Sequence, residues 1–283
     1  MPPANTPTLR QRRLGAELRK LRERAGLSST AAAAVHGMNQ ARVSSIEAGR
    51  YAVSAERVRT LARNYTCGDE RLVEALAGMT GGRTKGWWDE YRDVLPAGLH
   101  DLAELEHHAT ALRVASVVHI PGLLQTPEHA RAVFREVVPP LIAYEVEHWV
   151  SHRIKRQAVL YGDKPTPMTA ILHEAALRMG FGGPETTKAQ LLHLVDMSER
   201  PKLTLVVLPF GGGAFPGSGQ PIVYASGSVP QLDTVQLDTE HGVEFLDAEA
   251  QLTRYRSVLD RMESCALSPA ESRELIHDLV REL

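Results

Sequence analysis

Glycines divide the first part of the chain into short apolar segments. Because each glycine tends to end a helix, this spacing limits the helices of that part to short ones. Leu14, Leu18, Leu21 and Ala25 are spaced by four, three and four residues, which is the spacing of one helix face. Gly26 follows directly and predicts the end of that helix, because glycine readily adopts the left-handed backbone conformation found after helices. A chain interrupted at such intervals forms short helices joined by tight turns.

Four more helices are predicted by the same kind of signal. Ser28 and Asn39 can cap the second and third helices, because their side-chain oxygens accept hydrogen bonds from the free N–H groups of a first helical turn. Gly37 and Gly49 follow those two helices. The four predicted helices cover residues 30–36, 39 to about 48, 54–65 and 69–76. We therefore expect residues 10–77 to form an all-α domain of five helices.

Charge is divided unevenly along the chain. The 283 residues have a formal charge of −2, yet residues 1–66 contain 12 Lys and Arg against four Asp and Glu. Residues 67–283 contain 20 basic and 30 acidic side chains. A basic segment of +8 favours contact with a polyanion, and the acidic remainder does not. The alternative interpretation is chance clustering of charges on a solvated helix face.

The sequence changes character after residue 77. Residues 78–86 are glycine-rich and polar, which indicates a linker, and residues 1–9 contain three prolines, which indicates a flexible arm. Residues 87–283 alternate between helix-like and strand-like segments. The strands are predicted at 111–119, 168–173, 203–209, 221–225, 232–237 and 242–246. Because the last four follow one another through turn-rich loops, we expect an α+β domain with a mixed, partly antiparallel sheet.

Residues 14–50 resemble the lambda-repressor-like (Xre-family) helix-turn-helix. The matching segments are LRKLRE at 18–23, AGLS at 25–28, Gly37 and VSSIEAGR at 43–50. The resemblance implies that the third helix, which begins after Asn39, is the recognition helix of a DNA-binding domain.

The third helix has the surface that such a role needs. Val43 and Ile46 point to one side, so the opposite face is small and polar and fits a major groove. Gln40 can form a bidentate pair with adenine, and Arg42 can reach a guanine or a phosphate. The remaining residues of this face are Ala41, Ser44, Ser45 and Ala48.

Further DNA contacts follow from the resemblance, which implies phosphate contacts at Ser29, Asn39 and Arg50. The free N–H groups of helix N-termini independently favour the first two of these residues. Arg10, Arg12 and Arg13 can enter an adjacent minor groove or neutralise phosphates, or they belong to a solubilising tail. 

Two further features concern the stability of this domain. Arg22 and Glu47 match a pair that bridges the first and third helices in this family, and the alternative is two solvated charges. The second helix departs from the family pattern, with His36 at a usually aliphatic position and Ala32 in place of Leu. We expect this helix to be underfilled and the isolated domain to be less stable than its relatives.

The C-terminal region resembles the regulatory domain of WhiJ-like regulators from actinobacteria. The matching segments are WWDEY at 87–91, DVLP at 93–96, PGLLQT at 121–126, ERP at 199–201, LPF at 208–210 and LSPAES at 267–272. The resemblance implies antitoxin-like control, in which residues 87–283 hold a small partner protein encoded nearby, and we expect the same region to dimerise.

Catalytic and metal-dependent functions have weaker support. His148 and His152 have a spacing that can ligate zinc, but no Glu adjoins His148 as a metalloprotease motif requires. Gly211, Gly212 and Gly213 are not followed by the Lys-Ser/Thr of a phosphate-binding loop. We therefore predict no catalytic residue, no metal and no cofactor, and we do not expect an enzyme.

Three functions remain open from the sequence. The first is a transcriptional regulator controlled by a small partner protein, which binds a palindromic double-stranded operator as a homodimer. The second is a repressor that senses a small-molecule effector, and the third is an enzyme with a DNA-targeting domain. With two cysteines, no apolar signal segment and no long apolar run, we expect a cytoplasmic, nucleoid-associated protein without a membrane contact.

Overall fold

The computed structural model describes residues 6–80, 86–213, 215–239 and 241–283. These residues form two compact units. The first contains the described residues up to Trp87 together with Ser228–Leu232, and the second contains Trp88–Gly227 and Asp233–Leu283. Residues 1–5 of the predicted arm and 81–85 of the predicted linker lie outside the described residues. Gly78, which we assigned to the linker, is instead the last residue of a helix.

The first unit is built from five helices, as the sequence predicts. They are α1 (Leu9–Arg24), α2 (Ser29–Val35), α3 (Gln40–Glu47), α4 (Ala55–Asn64) and α5 (Glu70–Gly78). Each begins after a side chain that accepts a hydrogen bond from the first turn, in order Thr8, Ser28, Asn39, Ser54 and Asp69. The first helix begins earlier than its apolar spacing indicates, because Thr8 and Gln11 form a reciprocal capping box.

One apolar cluster forms the core of the first unit and includes Leu18, Val58, Leu61, Leu76 and Leu232. The small α2 packs closely against this cluster with Ala32, which is fully buried.

His36 occupies the position at which we expected an underfilled helix. Its ring is buried, lies edge-on to Tyr65 with centroids 5.2 Å apart, and places Nδ1 3.1 Å from Asn64 Nδ2. The imidazole therefore takes the place of an aliphatic side chain and adds a polar contact to α4.

The second unit is an α+β domain, as predicted. Its helices are α6 (Ala97–His108), α7 (Pro127–Arg135), α8 (Ala143–Arg156), α9 (Glu174–Arg178), α10 (Gly183–Ser198), α11 (Glu249–Cys265) and α12 (Pro269–Glu282). Its strands are β1 (Ala111–Ser116), β2 (Met168–His173), β3 (Leu203–Leu208), β4 (Ile222–Ser226), β5 (Thr234–Thr239) and β6 (Gly242–Leu246). Short 3₁₀ turns lie at Trp87–Tyr91, Gly122–Leu124, Gln157–Leu160 and Pro230–Leu232.

The strands form one mixed sheet in the order β3-β2-β1-β4-β5-β6. β3, β2 and β1 are parallel to one another, and the pairs β1–β4, β4–β5 and β5–β6 are antiparallel. The expected antiparallel part is therefore present. The chain nevertheless crosses from β3, at one edge, to β4 beside β1, so these two consecutive strands are not neighbours.

Helices cover both faces of the sheet. Leu191 and Leu194 of α10 and Ile276 of α12 pack into the apolar cluster on one face, and Leu259 of α11 packs into the cluster on the other. The connection into α12 also covers the β3 edge, because Val207 N donates to Ser272 Oγ at 2.9 Å and Leu267 N donates to Val207 O at 2.9 Å.

Two general features of the described residues concern the length of their helices and the state of their cysteines. None of their helices is both long and apolar enough to cross a membrane. Cys67 and Cys265 are free thiols, and each is partly buried.

Candidate DNA-binding site

The third helix divides cleanly into a buried face and an exposed face. Val43 and Ile46 are 2% and 5% exposed and join the core of the first unit. Asn39 caps the helix, with Oδ1 accepting from Arg42 N at 2.8 Å. The outward residues Gln40, Ala41, Arg42 and Ser44 are exposed, and Ser45 and Ala48 are partly exposed. The exposed face therefore consists of the small and polar residues that the periodicity assigns to it.

Backbone contact holds α3 against α1. A Cβ atom at Gly15 of α1 would lie 2.4 Å from Glu47 O. A Cβ atom at Gly49 would lie 2.8 Å from Arg12 N, and Gly49 has a φ of +71°, which strains any other residue. Only hydrogen atoms fit at these two points, so α1 supports α3 without intervening side chains.

A buried ion pair joins the same two helices. Arg22 Nε donates to Glu47 Oε1 at 2.6 Å, and Arg22 Nη2 donates to Oε2 at 2.9 Å. Arg22 Nη1 also donates to Leu27 O at 2.6 Å, which ties the turn between α1 and α2 to the pair. Such bidentate geometry fixes orientation as well as distance.

The Gln40 amide is oriented by two hydroxyl groups. Its Nε2 donates to Ser44 Oγ at 3.0 Å, one turn along α3, and to Ser29 Oγ at 3.4 Å, at the start of α2. Its Oε1 makes no hydrogen bond with any described residue. The Oε1 acceptor is free, and adenine recognition uses an acceptor and a donor on one such group, so the longer contact with Ser29 must be exchanged for one with the base.

Arg42 is held by a residue that the sequence reasoning missed. Its guanidinium lies 4.3 Å from the ring centroid of Tyr51, and Nη2 donates to Tyr51 Oη at 2.5 Å. Tyr51 turns back beside α3 because its N–H and that of Arg50 both donate to Ser45 O, at 3.1 and 2.9 Å. An aromatic residue just after the helix-ending glycine was the available signal, and the tyrosine is 44% exposed.

The predicted phosphate-contacting residues lie at the ends of the two helices. Ser29 is the first residue of α2, and Asn39 immediately precedes α3. Arg50 follows α3 and is exposed, with no ion pair to any described residue. The structure thus brings Ser29 and Gln40 together and puts Arg50 at the opposite end of the helix.

The three arginines that precede Leu14, namely Arg10, Arg12 and Arg13, do not form a free basic arm. Arg13 is 5% exposed and forms an ion pair with Glu17 within α1, so the idea that it enters a minor groove is wrong. Arg10 Nη2 donates to Gly78 O at 2.8 Å, and Arg12 Nη1 donates to Pro7 O at 2.6 Å. These arginines contribute to the fold of the first unit.

The two histidines with zinc-like spacing have different surroundings. His152 is 2% exposed and lies edge-on to Tyr91 and His100, at 5.2 and 6.4 Å between centroids. Burial, together with Arg156, lowers the pKa of His152 to about 3. His148 is exposed on the same helix. Among the residues that the structure describes, no three potential metal ligands come together.

The fold and exposed helix of the first unit define a helix-turn-helix protein of the DNA-binding regulator class. Residues 13–76 match the family described as a helix-turn-helix domain. Residues 99–278, more than half of the chain, match the family described as "Domain of unknown function (DUF5753)", and the chain belongs to that family. Comparison with curated proteins and with solved structures found no significant match.

Proposed function

We propose that the protein is a sequence-specific transcriptional regulator whose α3 reads base edges in the major groove. The observation that carries this proposal is the exposed face of α3, where small residues surround Gln40 and Arg42. A helix with no bulky outward side chain can approach the groove floor closely. Gln40 would pair with adenine, while Ala41, Ser44, Ser45 and Ala48 would contact base edges or thymine methyl groups.

A second set of residues would position the protein on the duplex through contacts with phosphates. Arg50 supplies a free positive charge at one end of α3, and Ser29 and Asn39 lie at the other end. Phosphate contacts fix the register of a protein on DNA but carry no direct sequence information. The Arg22–Glu47 pair would act only through structure, by holding α3 against α1.

A dimer is part of the same proposal. One helix of eight residues contacts few base pairs, so useful affinity needs two half-sites on one face of the duplex. The second unit would provide the dimer contact, and its two-fold symmetry predicts a palindromic operator. The WhiJ-like resemblance adds a small partner protein held by that unit, with antitoxin-like control, in an actinobacterial cytoplasm and on its nucleoid.

Selection of bound duplexes from a random pool tests this function with the full chain. We expect an enriched inverted repeat whose half-sites are about 34–36 Å apart along the DNA, or a multiple of that distance. A single unrepeated half-site would contradict the dimer. Recovery of unenriched sequences would contradict specific recognition altogether.

Control by a partner protein has a separate test. Affinity purification of the chain from its native cell, followed by mass spectrometry, should recover a small protein encoded beside it. Recovery of DNA without that protein would count against antitoxin-like control and leave DNA recognition standing.

A regulator that senses a small molecule is the second candidate. A cleft of about 280 Å³, lined by Leu160, Tyr161, Arg200 and Lys202 among others, gives it little support, since ligand pockets usually have volumes of about 300–1,000 Å³. The observation that favours this candidate is an arginine of the second unit, Arg153, which has no carboxylate partner among the described residues.

A further inference from the structure

Arg153 of α8 is an unusual arginine within the second unit. Its guanidinium lies 4.3 Å from the ring centroid of Phe134, and a Cβ atom at Gly122 would lie 3.2 Å from its Nε. Within the described part of the chain it makes one hydrogen bond, from Nη1 to the neutral Gln125 Oε1 at 2.6 Å. Nε is buried and has no hydrogen-bond partner among those same residues. No carboxylate of the described residues lies within ion-pair distance of the side chain.

A second arginine on the same helix shows how the fold compensates such a charge elsewhere. Arg156 Nε donates to Glu106 Oε2 at 2.8 Å, and Nη2 donates to Oε1 at 2.6 Å. Both partners are buried. One arginine of α8 thus has a bidentate carboxylate, and the other, one turn earlier, lacks one.

Two histidines with spare ring nitrogens lie close enough to Arg153 for its charge to act on their pKa values. His129 of α7 is 3% exposed, and neither of its ring nitrogens has a hydrogen-bond partner in the described ranges. Its ring is edge-on to Phe181 at 5.8 Å, and His119 stacks on the same phenyl ring at 5.0 Å. His119 is exposed, so the group reaches solvent on this side.

The pKa values show that these groups influence one another. Burial, with His119 and Arg153 nearby, lowers the pKa of His129 to about 4. Burial and Arg153 lower the pKa of His119. Burial and Arg156 lower the pKa of Arg153 to about 9. The histidines are therefore neutral near pH 7, and Arg153 provides the positive charge.

The topology places this group at the carboxyl ends of two strands, where a ligand can bind. His119 follows β1, and Asp238 belongs to β5, which runs in the same direction because both strands are antiparallel to β4. Ligands of α/β sheets bind outside the carboxyl ends of strands. Asp238 is exposed and accepts from Gln236 Nε2 at 2.8 Å. It raises the pKa of Arg153 but lies beyond ion-pair distance.

We propose that Arg153, His129 and His119 form a binding site for an oxyanion, the carboxylate or phosphate group of a small ligand. A partly buried guanidinium without a counter-ion is costly, and an oxyanion removes that cost with charge-assisted hydrogen bonds. A neutral His129 donates one further N–H, and Phe181 supplies an apolar wall. The site stands apart from DNA recognition, because it uses only residues of the second unit.

Binding of two simple anions to the full chain tests the site and separates its possible sources. Inorganic phosphate and acetate are titrated by calorimetry at pH 7 and constant ionic strength, with chloride as the reference anion. We expect saturable binding of phosphate, acetate or both. Arg153→Gln should weaken that binding at least about tenfold. The matched control is Arg131→Gln, which removes a partly exposed arginine of α7 paired with Glu147, and its affinity should equal that of the wild type.

A second measurement needs no variant and stays decisive if Arg153→Gln fails to fold. In the unaltered protein, a bound oxyanion should shift the ring C–H resonances of His129 and raise its pKa from about 4. Unchanged His129 resonances in both anions would overturn the proposal, as would equal affinities of wild type and Arg153→Gln. Operator binding is measured separately, so its failure would leave this result unaffected.

Discussion

In the proposed recognition of DNA, individual side chains on α3 have distinct roles. Gln40 is held by Ser29 and Ser44, so its amide is oriented before DNA arrives. Arg42 stacks on Tyr51, which limits how far its guanidinium travels. Such restraint lowers the conformational entropy lost on binding. The free acceptor of Gln40 makes it the principal candidate for reading a base.

Gln40→Ala tests base reading directly. We expect the substitution to cost about 1–3 kcal/mol on the selected operator and to relax discrimination at one base position, because a bidentate adenine contact is lost. Gel-shift titrations on the operator and on random duplex DNA measure both effects. Equal weakening on the two DNAs would contradict a base-reading role.

Arg50→Ala tests phosphate contact. Removal of one phosphate-contacting cation should weaken binding to all sequences and reduce the slope of log affinity against log salt by about one. The matched control is Arg71→Ala, which removes an exposed arginine of α5, and its slope should equal that of the wild type. A reduced slope in the control and not in Arg50→Ala would refute the assignment.

Buried histidines predict a dependence of stability on pH. The folded pKa of His152, about 3, lies below its unfolded value near 6.5, so folding favours the neutral ring. Its stabilising contribution is complete above pH 6.5 and is lost as the pH falls toward 3. Urea unfolding of His152→Gln should therefore show a smaller loss of stability between pH 7 and 5 than the wild type.

His148→Gln is the control for that measurement, because His148 is exposed on the same helix. Its loss of stability between pH 7 and 5 should match that of the wild type. An identical pH dependence in all three proteins would show that the burial of His152 has no energetic consequence.

At the scale of helices, the contact between α1 and α3 fixes the orientation of α3, the proposed recognition helix. Gly15 allows backbone contact with Glu47, and Arg22 closes the same interface with a buried ion pair. Removal of one partner from a buried pair leaves an uncompensated charge, which is strongly destabilising. The proposed recognition by α3 therefore depends on residues of α1 that contact α3.

Gly15→Ala tests the importance of this close contact. A methyl group 2.4 Å from a carbonyl oxygen forces the helices apart, and we expect a loss of about 1–3 kcal/mol of stability together with weaker operator binding. Gly78→Ala at the end of α5 is the matched control, since a Cβ atom there meets nothing within 4 Å. Thermal unfolding that ranks the two variants equally would contradict the account.

Local signals explain which elements could be predicted from the sequence. Caps such as Ser28 and Asn39 and the glycines after helices act within one turn, so the five helices were predictable. The start of α1 was missed because Thr8 and Gln11 form a capping box outside the apolar pattern. The contact of Gly15 and the position of β3 at a sheet edge depend on residues far apart in sequence, which periodicity does not report.

The same reasoning applies to the candidate site. The outward face of α3 follows from two buried residues, Val43 and Ile46, and 100° of rotation per residue. Tyr51 was missed because its return to Arg42 depends on the turn after α3. The sequence leaves Arg13 as a DNA contact or part of a solubilising tail, because its burial and its ion pair with Glu17 have no local sequence signal.

For the whole molecule, the small net charge conceals an uneven distribution of charge along the chain. The formal charge of −2 combines a basic segment, residues 1–66, with an acidic remainder. Basic side chains that neutralise DNA phosphates provide most of the attraction to DNA, and this attraction weakens as the salt concentration rises. The basic segment should therefore contribute most of the affinity for DNA. The second unit contributes little attraction of this kind, which suits a role in assembly or ligand binding.

Methylation interference on the selected operator tests the central claim most directly, because it reports which groove the protein occupies. Guanine N7 lies in the major groove and adenine N3 in the minor groove. With the full chain, we predict that N7 methylation of guanines within both half-sites inhibits binding, and that N3 methylation of adenines there does not. Interference confined to adenine N3, or absent from both grooves, would contradict recognition by α3.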